Sequence, residues 1–223
     1  MFFIETKHCK KVISEYKTLF VSPQETVIQR MCPDEIIMYE VVIPNLFVIQ
    51  ESYPVSIKID EHVIKLFEDN EVVMITGEYI QGLCEGLSVS YYWEHSDAMS
   101  WNTFFPQACC IMKIPEEDWF QSLVIDPRNQ DKGSVASDWD QYTEIDISDN
   151  RFSLLQDKYT LSFPTLKMFQ TAKGILSSEK LNEVFTENRG QVAAIYYEEN
   201  YPLCLEFTGS RKVYIAPICR DST

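Results

Sequence analysis

The strongest constraint on this chain is an order of short elements that occurs twice. In the first half, "MFFIET" (1–6) reads as a strand and "KHCKKVISEYKTLF" (7–20) has helical period. "ETVIQRM" and "EIIMYEVVI" follow as strands separated by Cys32-Pro33-Asp34, a natural turn. "DEHVIKLFED" (60–69) predicts a second short helix opened by acids, and "EVVMITGEYI" and "GLSVSYYWE" predict a strand pair. The segment "HSDAMSWNTFF" (95–105) breaks the periodicity and reads as a linker. The order then returns. "PQACCIMKIP" (106–115) is a strand, "EEDWFQSLVI" (116–125) a short helix and "PRNQDKGSVASDWDQ" a loop. "YTEIDIS" and "RFSLLQ" form a hairpin across Asp149-Asn150. "KYTLSF" leads into "PTLKMFQTAKGI" (164–175), which predicts a helix with proline at its start. "EKLNEVF" fits either element, and "QVAAIYYEE", "YPLCLEF" and "KVYIAPI" close the chain as strands.

Each half therefore reads strand, helix, strands, helix, strands. The repeat is one of order and not of letters. It predicts an α+β protein with two similar domains of antiparallel sheet, 1–100 and 106–223, joined by a linker over 95–105.

With 45% hydrophobic and 13% aromatic residues, the chain has material for a core in each half. No apolar stretch approaches a bilayer span, and no basic start precedes an apolar block, so neither a membrane helix nor a secretory signal is expected. The seven cysteines are odd in number and lack Cys-x-x-Cys spacing, which fits free thiols in a reducing compartment better than a disulfide framework. His8, His62 and His95 stand apart from any cysteine pair, so no metal site is expected. Glu116-Glu117-Asp118 and Asp138-Trp139-Asp140 have no neighbouring histidine, and no glycine-rich phosphate loop or nucleophile motif occurs. The chain is expected to be neither an enzyme nor a cofactor carrier.

The net charge of −15 argues against a protein that coats nucleic acid with its whole surface. It leaves room for one that gathers its cations. On a helical wheel, 7–20 puts Cys9, Val12, Ile13, Tyr16, Leu19 and Phe20 on one side and Lys7, Lys10, Lys11 and Lys17 on the other. Lys167 and Lys173 fall in 164–175 with no acid, and Lys58 and Lys65 flank the helix at 60–69. Such a lysine face is also what the solvated side of any amphipathic helix looks like.

"FPQACCIMKIPEEDWFQSLV", "YTLSFPTLKMFQTAKGI", "YPLCLEF" and "KVYIAPI" together resemble the second half of eukaryotic-type sliding clamps, the proliferating cell nuclear antigen family. "MFFIETKHCKKVISEYKTL" and "VSIKIDEHVIKLFEDNEVVMIT" resemble that family's first domain, and "YIAPI" matches its closing strand and tail. The resemblance implies the DNA clamp fold, with antiparallel sheets outside and short helices inside. It implies a ring, expected to be a homotrimer, that encircles double-stranded DNA without reading sequence. Such a ring is put there by a clamp loader and tethers a DNA polymerase and other replication or repair enzymes, in the nucleus where the family works.

Carried to this chain, the resemblance makes Lys7, Lys10, Lys11, Lys17, Lys65, Lys167 and Lys173 candidate DNA contacts. It makes Trp101, Phe104, Pro202, Ala216, Pro217 and Ile218 the candidate walls of a pocket for partner peptides. Long ammonium side chains suit a sliding ring, because they meet phosphates through counterions and water and not through a rigid fork. One departure stands out: 116–125 opens on three acids and carries no cation. Those acids either cap the helix or mark a subunit of a heteromeric, checkpoint-type ring or a non-sliding scaffold. The chain is also shorter than is usual in that family, as in a divergent or viral member. An unrelated α+β enzyme or binding protein is the remaining alternative.

Overall fold

The computed structural model describes residues 1–10, 12–34, 37–48, 54–84, 87–96, 107–117, 142–156, 159–199 and 201–217. Its contacts divide the chain into two units, one holding Met1–Met31, Met38–Thr103 and Gly209–Arg211, the other Cys32–Ile37, Phe104–Thr208 and Lys212–Thr223. Strands are assigned below to the unit that holds most of their residues.

The first unit contains β1 (Phe2–Glu5), β2 (Thr18–Val21), β3 (Glu25–Met31), β4 (Ile37–Val48), β5 (Val55–Lys58), α1 (Glu61–Asp69), β6 (Val72–Ile75), β7 (Tyr79–Cys84) and β8 (Leu87–Tyr92). Hydrogen-bonded neighbours follow the order β5-β2-β3-β4-β1-β6-β7-β8, antiparallel at each step. The second unit contains β9 (Cys110–Lys113), β10 (Thr143–Ser148), β11 (Arg151–Gln156), β12 (Tyr159–Met168), β13 (Ala172–Leu176), α2 (Ser178–Glu187), β14 (Val192–Tyr196), β15 (Leu203–Phe207) and β16 (Arg211–Ile215). Its order is β13-β10-β11-β12-β9-β14-β15-β16. Counting strands within each unit, both orders read 5-2-3-4-1-6-7-8. The repeat read from the letters is a repeat of topology.

The same physical devices recur in the two helices. Asp60 caps α1 by accepting from the backbone N–H groups of His62 (2.9 Å) and Val63 (3.0 Å). Ser177 caps α2 by accepting from the N–H of Lys180. Val63, Leu66 and Phe67 on α1, and Leu181, Val184 and Phe185 on α2, are buried at helical spacing. α1 packs on β6, β7 and β8, while Phe185 meets Phe152 of β11 at a ring separation of 5.9 Å. Full burial of such a phenylalanine contributes roughly 1.5–3 kcal/mol. Past each helix an asparagine amide turns back to the carbonyl four residues earlier, Asn70 to Leu66 (2.8 Å) and Asn188 to Val184 (2.7 Å). Gly82 leaves room for Asn70: a Cβ there would lie 2.3 Å from its amide nitrogen.

Three expectations are corrected here, and one reading left open is settled. The stretch 7–20 is not one α-helix. It forms 3-10 turns at Thr6–His8 and Ile13–Glu15 and then enters β2. Its apolar side is real, with Cys9, Ile13, Tyr16 and Leu19 buried. Pairing wins over helical period because the Lys17 N–H donates to Gln29 and its carbonyl accepts from Ile59, drawing the chain between β3 and β5. The helix expected over 164–175 is instead the end of β12 and most of β13. There Pro164 is tolerated because its nitrogen faces away from β11, on the side where β9 pairs only from Thr165 onward. "EVVMITGEYI" is not one strand, since Thr76 turns the chain between β6 and β7. "EKLNEVF" is helix, as part of α2.

His95 and Ser96, expected in the linker, belong to the first sheet: Ser96 donates to the Ser56 carbonyl, and His95 bridges Ile57. The rest of that linker and the helix expected over 116–125, apart from Glu116 and Glu117, lie outside the described residues. Cys9, Cys109, Cys110 and Cys204 are buried and take part in no disulfide. Among the described residues, no helix is long and apolar enough to cross a membrane.

Candidate nucleic-acid and partner interfaces

A surface that tracks phosphates needs cations that are not already neutralised by the protein itself. The helices supply few. α1 carries Glu61, Glu68 and Asp69 against Lys65, and α2 carries Glu179, Glu183 and Glu187 against Lys180. Lys180 is largely spoken for: its ammonium lies 2.5 Å from Asp34 and 3.3 Å from Glu183. The bond to Asp34 raises its pKa above the ordinary lysine value. At the start of α1, the Tyr91 hydroxyl donates to Asp60 at 2.6 Å and its ring lies 4.8 Å from that of His62. Burial works to raise the Asp60 carboxyl. The Tyr91 hydroxyl and the two capping N–H groups outweigh it, so the group sits below its usual value. The same bond pushes Tyr91 up to about 12.

The cations expected to contact DNA are therefore dispersed over three kinds of backbone. Lys7, Lys10 and Lys17 sit on the turn segment before β2, which packs against α1, and Lys7 pairs with Glu5 at 2.8 Å. Lys65 is exposed on α1. Lys167 and Lys173 are on strands and not on a helix. Lys167 lies over the Phe169 ring at 4.7 Å, and Lys173 binds Asp146 at 2.7 Å. That ion pair holds Asp146 below its ordinary carboxylate value. Lys11 lies outside the described residues.

Of the residues expected to receive a partner peptide, Pro202 is buried ahead of β15, and Ala216 and Pro217 are half-buried after β16. Trp101, Phe104 and Ile218 lie outside the described residues. A cavity of about 540 Å³ lies elsewhere in the second unit, lined by Gln107, Gln170, Lys173, Tyr197, Glu198 and Glu199 among others. Sequence reasoning missed it, because its walls come from three separate loops and the start of β13.

It also missed two strand edges. β8, "LSVSYY", ends its sheet with Val89 and Tyr92 exposed, and among the described residues no strand pairs with its outer side. In β12, β9 pairs from Thr165 onward, and among the described residues no strand pairs with that side of "YTLSFP" (159–164). Neither run carries a charge. Edge strands of soluble proteins are usually guarded by charges, so two uncharged edges in a chain of −15 were a signal available in the letters.

No protein-family model matches the chain, and no curated protein matches it. Solved structures do. A protein from Eubacterium rectale described as a DNA polymerase III beta subunit superposes on 100% of this chain with a TM-score of 0.60 at 11% identity. The chain spans 66% of that protein. PCNA from A. fulgidus, solved with the C-terminal region of FEN-1 bound, covers 99% of this chain and 99% of its own, with a TM-score of 0.53 at 14% identity. Proliferating Cellular Nuclear Antigen from Entamoeba histolytica covers 98% of this chain and 99% of its own, with a TM-score of 0.54 at 15% identity.

This chain has the sliding-clamp fold. Mostly antiparallel sheet with a small number of helices is what this chain shares with those structures. At these identities the likeness speaks for the fold of this chain and leaves its surfaces to be argued from their own chemistry.

Proposed function

We propose that this chain is one subunit of a ring-shaped DNA clamp that encircles duplex DNA and tethers polymerases or repair enzymes to it, without a reaction of its own. The observation that carries the reading is the same eight-strand order in both units, in a chain that superposes end to end on clamp structures. The uncharged edges of β8 and of residues 159–164 supply the means of closing a ring: β8 of one copy would add to β12 of the next by backbone hydrogen bonds. Lys7, Lys10, Lys11, Lys17 and Lys65 are the phosphate contacts in this reading. Pro202, Ala216, Pro217 and Ile218, with Trp101 and Phe104, would receive the peptides of tethered enzymes. The PCNA solved with a region of FEN-1 bound gives that role a precedent. A loader to open the ring, and work in the nucleus, belong to the same proposal.

A mixed ring is favoured by one specific observation. Each described α-helix has three acids against one lysine, so a ring of identical copies would put net negative charge on all of those helices. A ring with other clamp-fold subunits could take its cations from them. Native mass measurement separates the two. A homotrimer of the 26.0 kDa chain at micromolar concentration supports the first reading. A monomer that assembles with other clamp-fold chains supports the second, and a monomer that assembles with none defeats both.

A further inference from the structure

The second half of β12 is out of step with its neighbour. Thr165 stands opposite Met112 of β9 and Lys167 opposite Ile111, so two residues of β12, Leu166 and Lys167, share one place on β9. Such a bulge re-aims side chains that plain alternation would send to opposite faces. Cys110 and Met112 are buried, so Ile111 between them and Lys167 across from it look outward. Leu166 looks outward as well, at 65% exposure. Pro164 and, opposite it on β11, Arg151 are exposed on the same face, because Phe152 and Leu154 of β11 take the buried one.

Hydrogen bonds hold this arrangement. The Thr165 N–H donates to the Asn150 carbonyl (3.0 Å), and the Asn150 N–H donates to the Met168 sulfur (3.1 Å). The turn before Arg151 is thus tied to β12 on both sides of the bulge. The Phe169 and Gln170 N–H groups both donate to the Cys109 carbonyl, and the Phe169 ring is 38% exposed with the Lys167 ammonium over it. Arg151 donates from Nη2 to the Ser162 carbonyl at 3.0 Å. Lys7, Lys58, Lys113, Lys173 and Lys180 each have a carboxylate partner. The contacts of Lys167 and Arg151 are a ring and a carbonyl, and neither cancels a charge; among the described residues no carboxylate pairs with either. In a chain of net charge −15, this face gathers two cations around exposed proline, leucine and phenylalanine.

We propose that Arg151, Pro164, Leu166, Lys167 and Phe169 form a docking surface for an acidic segment of a partner protein that carries a large apolar side chain. Charge complementarity selects that occupant. Duplex DNA would use the two cations and leave the apolar side chains nothing to bury against. An acidic segment with an apolar anchor uses both: its carboxylates meet Arg151 and Lys167, and its anchor leaves water against Leu166 and Phe169. The surface uses none of the residues that the clamp proposal gives to DNA or to partner peptides. It needs no ring, so it can fail while the clamp reading stands.

Binding of the labelled peptide Asp-Glu-Asp-Leu-Phe-Asp-Glu-Asp to the whole chain, read by fluorescence anisotropy and by backbone amide shifts, tests it. Saturation below about 1 mM peptide is expected, with the amides of Leu166, Lys167 and Phe169 shifting most and that of Ile195 on β14 unmoved. Leu166→Asp combined with Lys167→Glu should weaken binding at least about tenfold. Both side chains are exposed, so that variant should melt as the native chain does. The neutral peptide Ser-Gln-Ser-Leu-Phe-Ser-Gln-Ser should bind at least about tenfold more weakly, and about 0.5 M salt should weaken the acidic one severalfold. No binding at about 1 mM, or equal binding by native and variant chains, would overturn the surface. Equal binding of the acidic and neutral peptides would overturn the part given to Arg151 and Lys167. Displacement of the peptide by a duplex oligonucleotide that shifts the same amides would assign the face to phosphates instead. Self-association that the variant abolishes would assign it to a second copy of the chain.

Discussion

The two units share a strand order, a helix in the same place and an asparagine turned back on each helix end, yet they share almost no letters. Where they differ is at their surfaces. The passage from β1 to β2 is a short segment of turns bearing Lys7, Lys10 and Lys17, while β10 and β13 of the second unit bind their lysine, Lys173, to Asp146. β5 has its outer edge covered by residues 94–96, and β13 shows its edge to a cavity. The comparison separates two kinds of information. Apolar spacing and a few polar staples set the topology, and they do so twice with different residues. Charge is placed independently of that topology, so the clamp fold by itself does not assign a DNA surface.

Removing the same part from both units is the severest test of their equivalence. Phe67→Ala and Phe185→Ala should each cost about 3–5 kcal/mol in denaturant unfolding, because both rings are fully buried. A large loss in one and a negligible loss in the other would break the comparison. Asn70→Ala and Asn188→Ala should each cost about 0.5–1.5 kcal/mol, since each removes a buried hydrogen bond to a helix-end carbonyl. An Asn70 effect without an Asn188 effect would show the staple to be particular to the first unit.

The charge difference is sharpened by substituting lysines in groups. Replacing Lys7, Lys10 and Lys17 with alanine should flatten the slope of log DNA affinity against log salt by about 0.9 for each phosphate no longer neutralised. Replacing Lys173 and Lys180, which already have carboxylate partners, should leave the slope unchanged. The reverse result would move the DNA surface to the second unit.

The smallest effect distinguishes the two helix caps. The Asp60 carboxyl is held below its ordinary value of 3.8, so its stabilisation of α1 is present above that pH and is lost as pH falls through the lowered value. Ser177 does not titrate. In acid, the amides of His62 and Val63 should lose protection before that of Lys180, and simultaneous loss would remove the distinction.

Much of the sheet was legible because its strands alternate or carry turn residues. Asp149 and Asn150 both adopt positive φ, 50° and 59°, as a two-residue hairpin turn requires. Asp60 announced α1 in the same way. The stretch 164–175 was misread because its signals compete: proline before a mixed apolar run fits a helix start, and the irregular register between Thr165 and Lys167 breaks the alternation a strand would show. Gly174 was the better clue, since a Cβ there would lie 2.0 Å from the Tyr197 hydroxyl of a neighbouring loop. The lysine face of 7–20 was read correctly as amphipathic and wrongly as one helix, because nothing local reports that Lys17 is claimed by two other strands. Surface sites were least legible. The cavity beside β13 exists only once distant segments meet, and the letters of β8 and β12 show uncharged runs without showing that they are edges.

Topological retention on DNA tests the clamp reading most directly. The chain, with whatever clamp-fold subunits complete its ring, is loaded on a circular duplex, washed in high salt, and the circle is then cut once. A ring threaded by DNA stays on the intact circle and leaves through the new ends. Equal loss from cut and uncut DNA, or retention that cutting does not change, would contradict it.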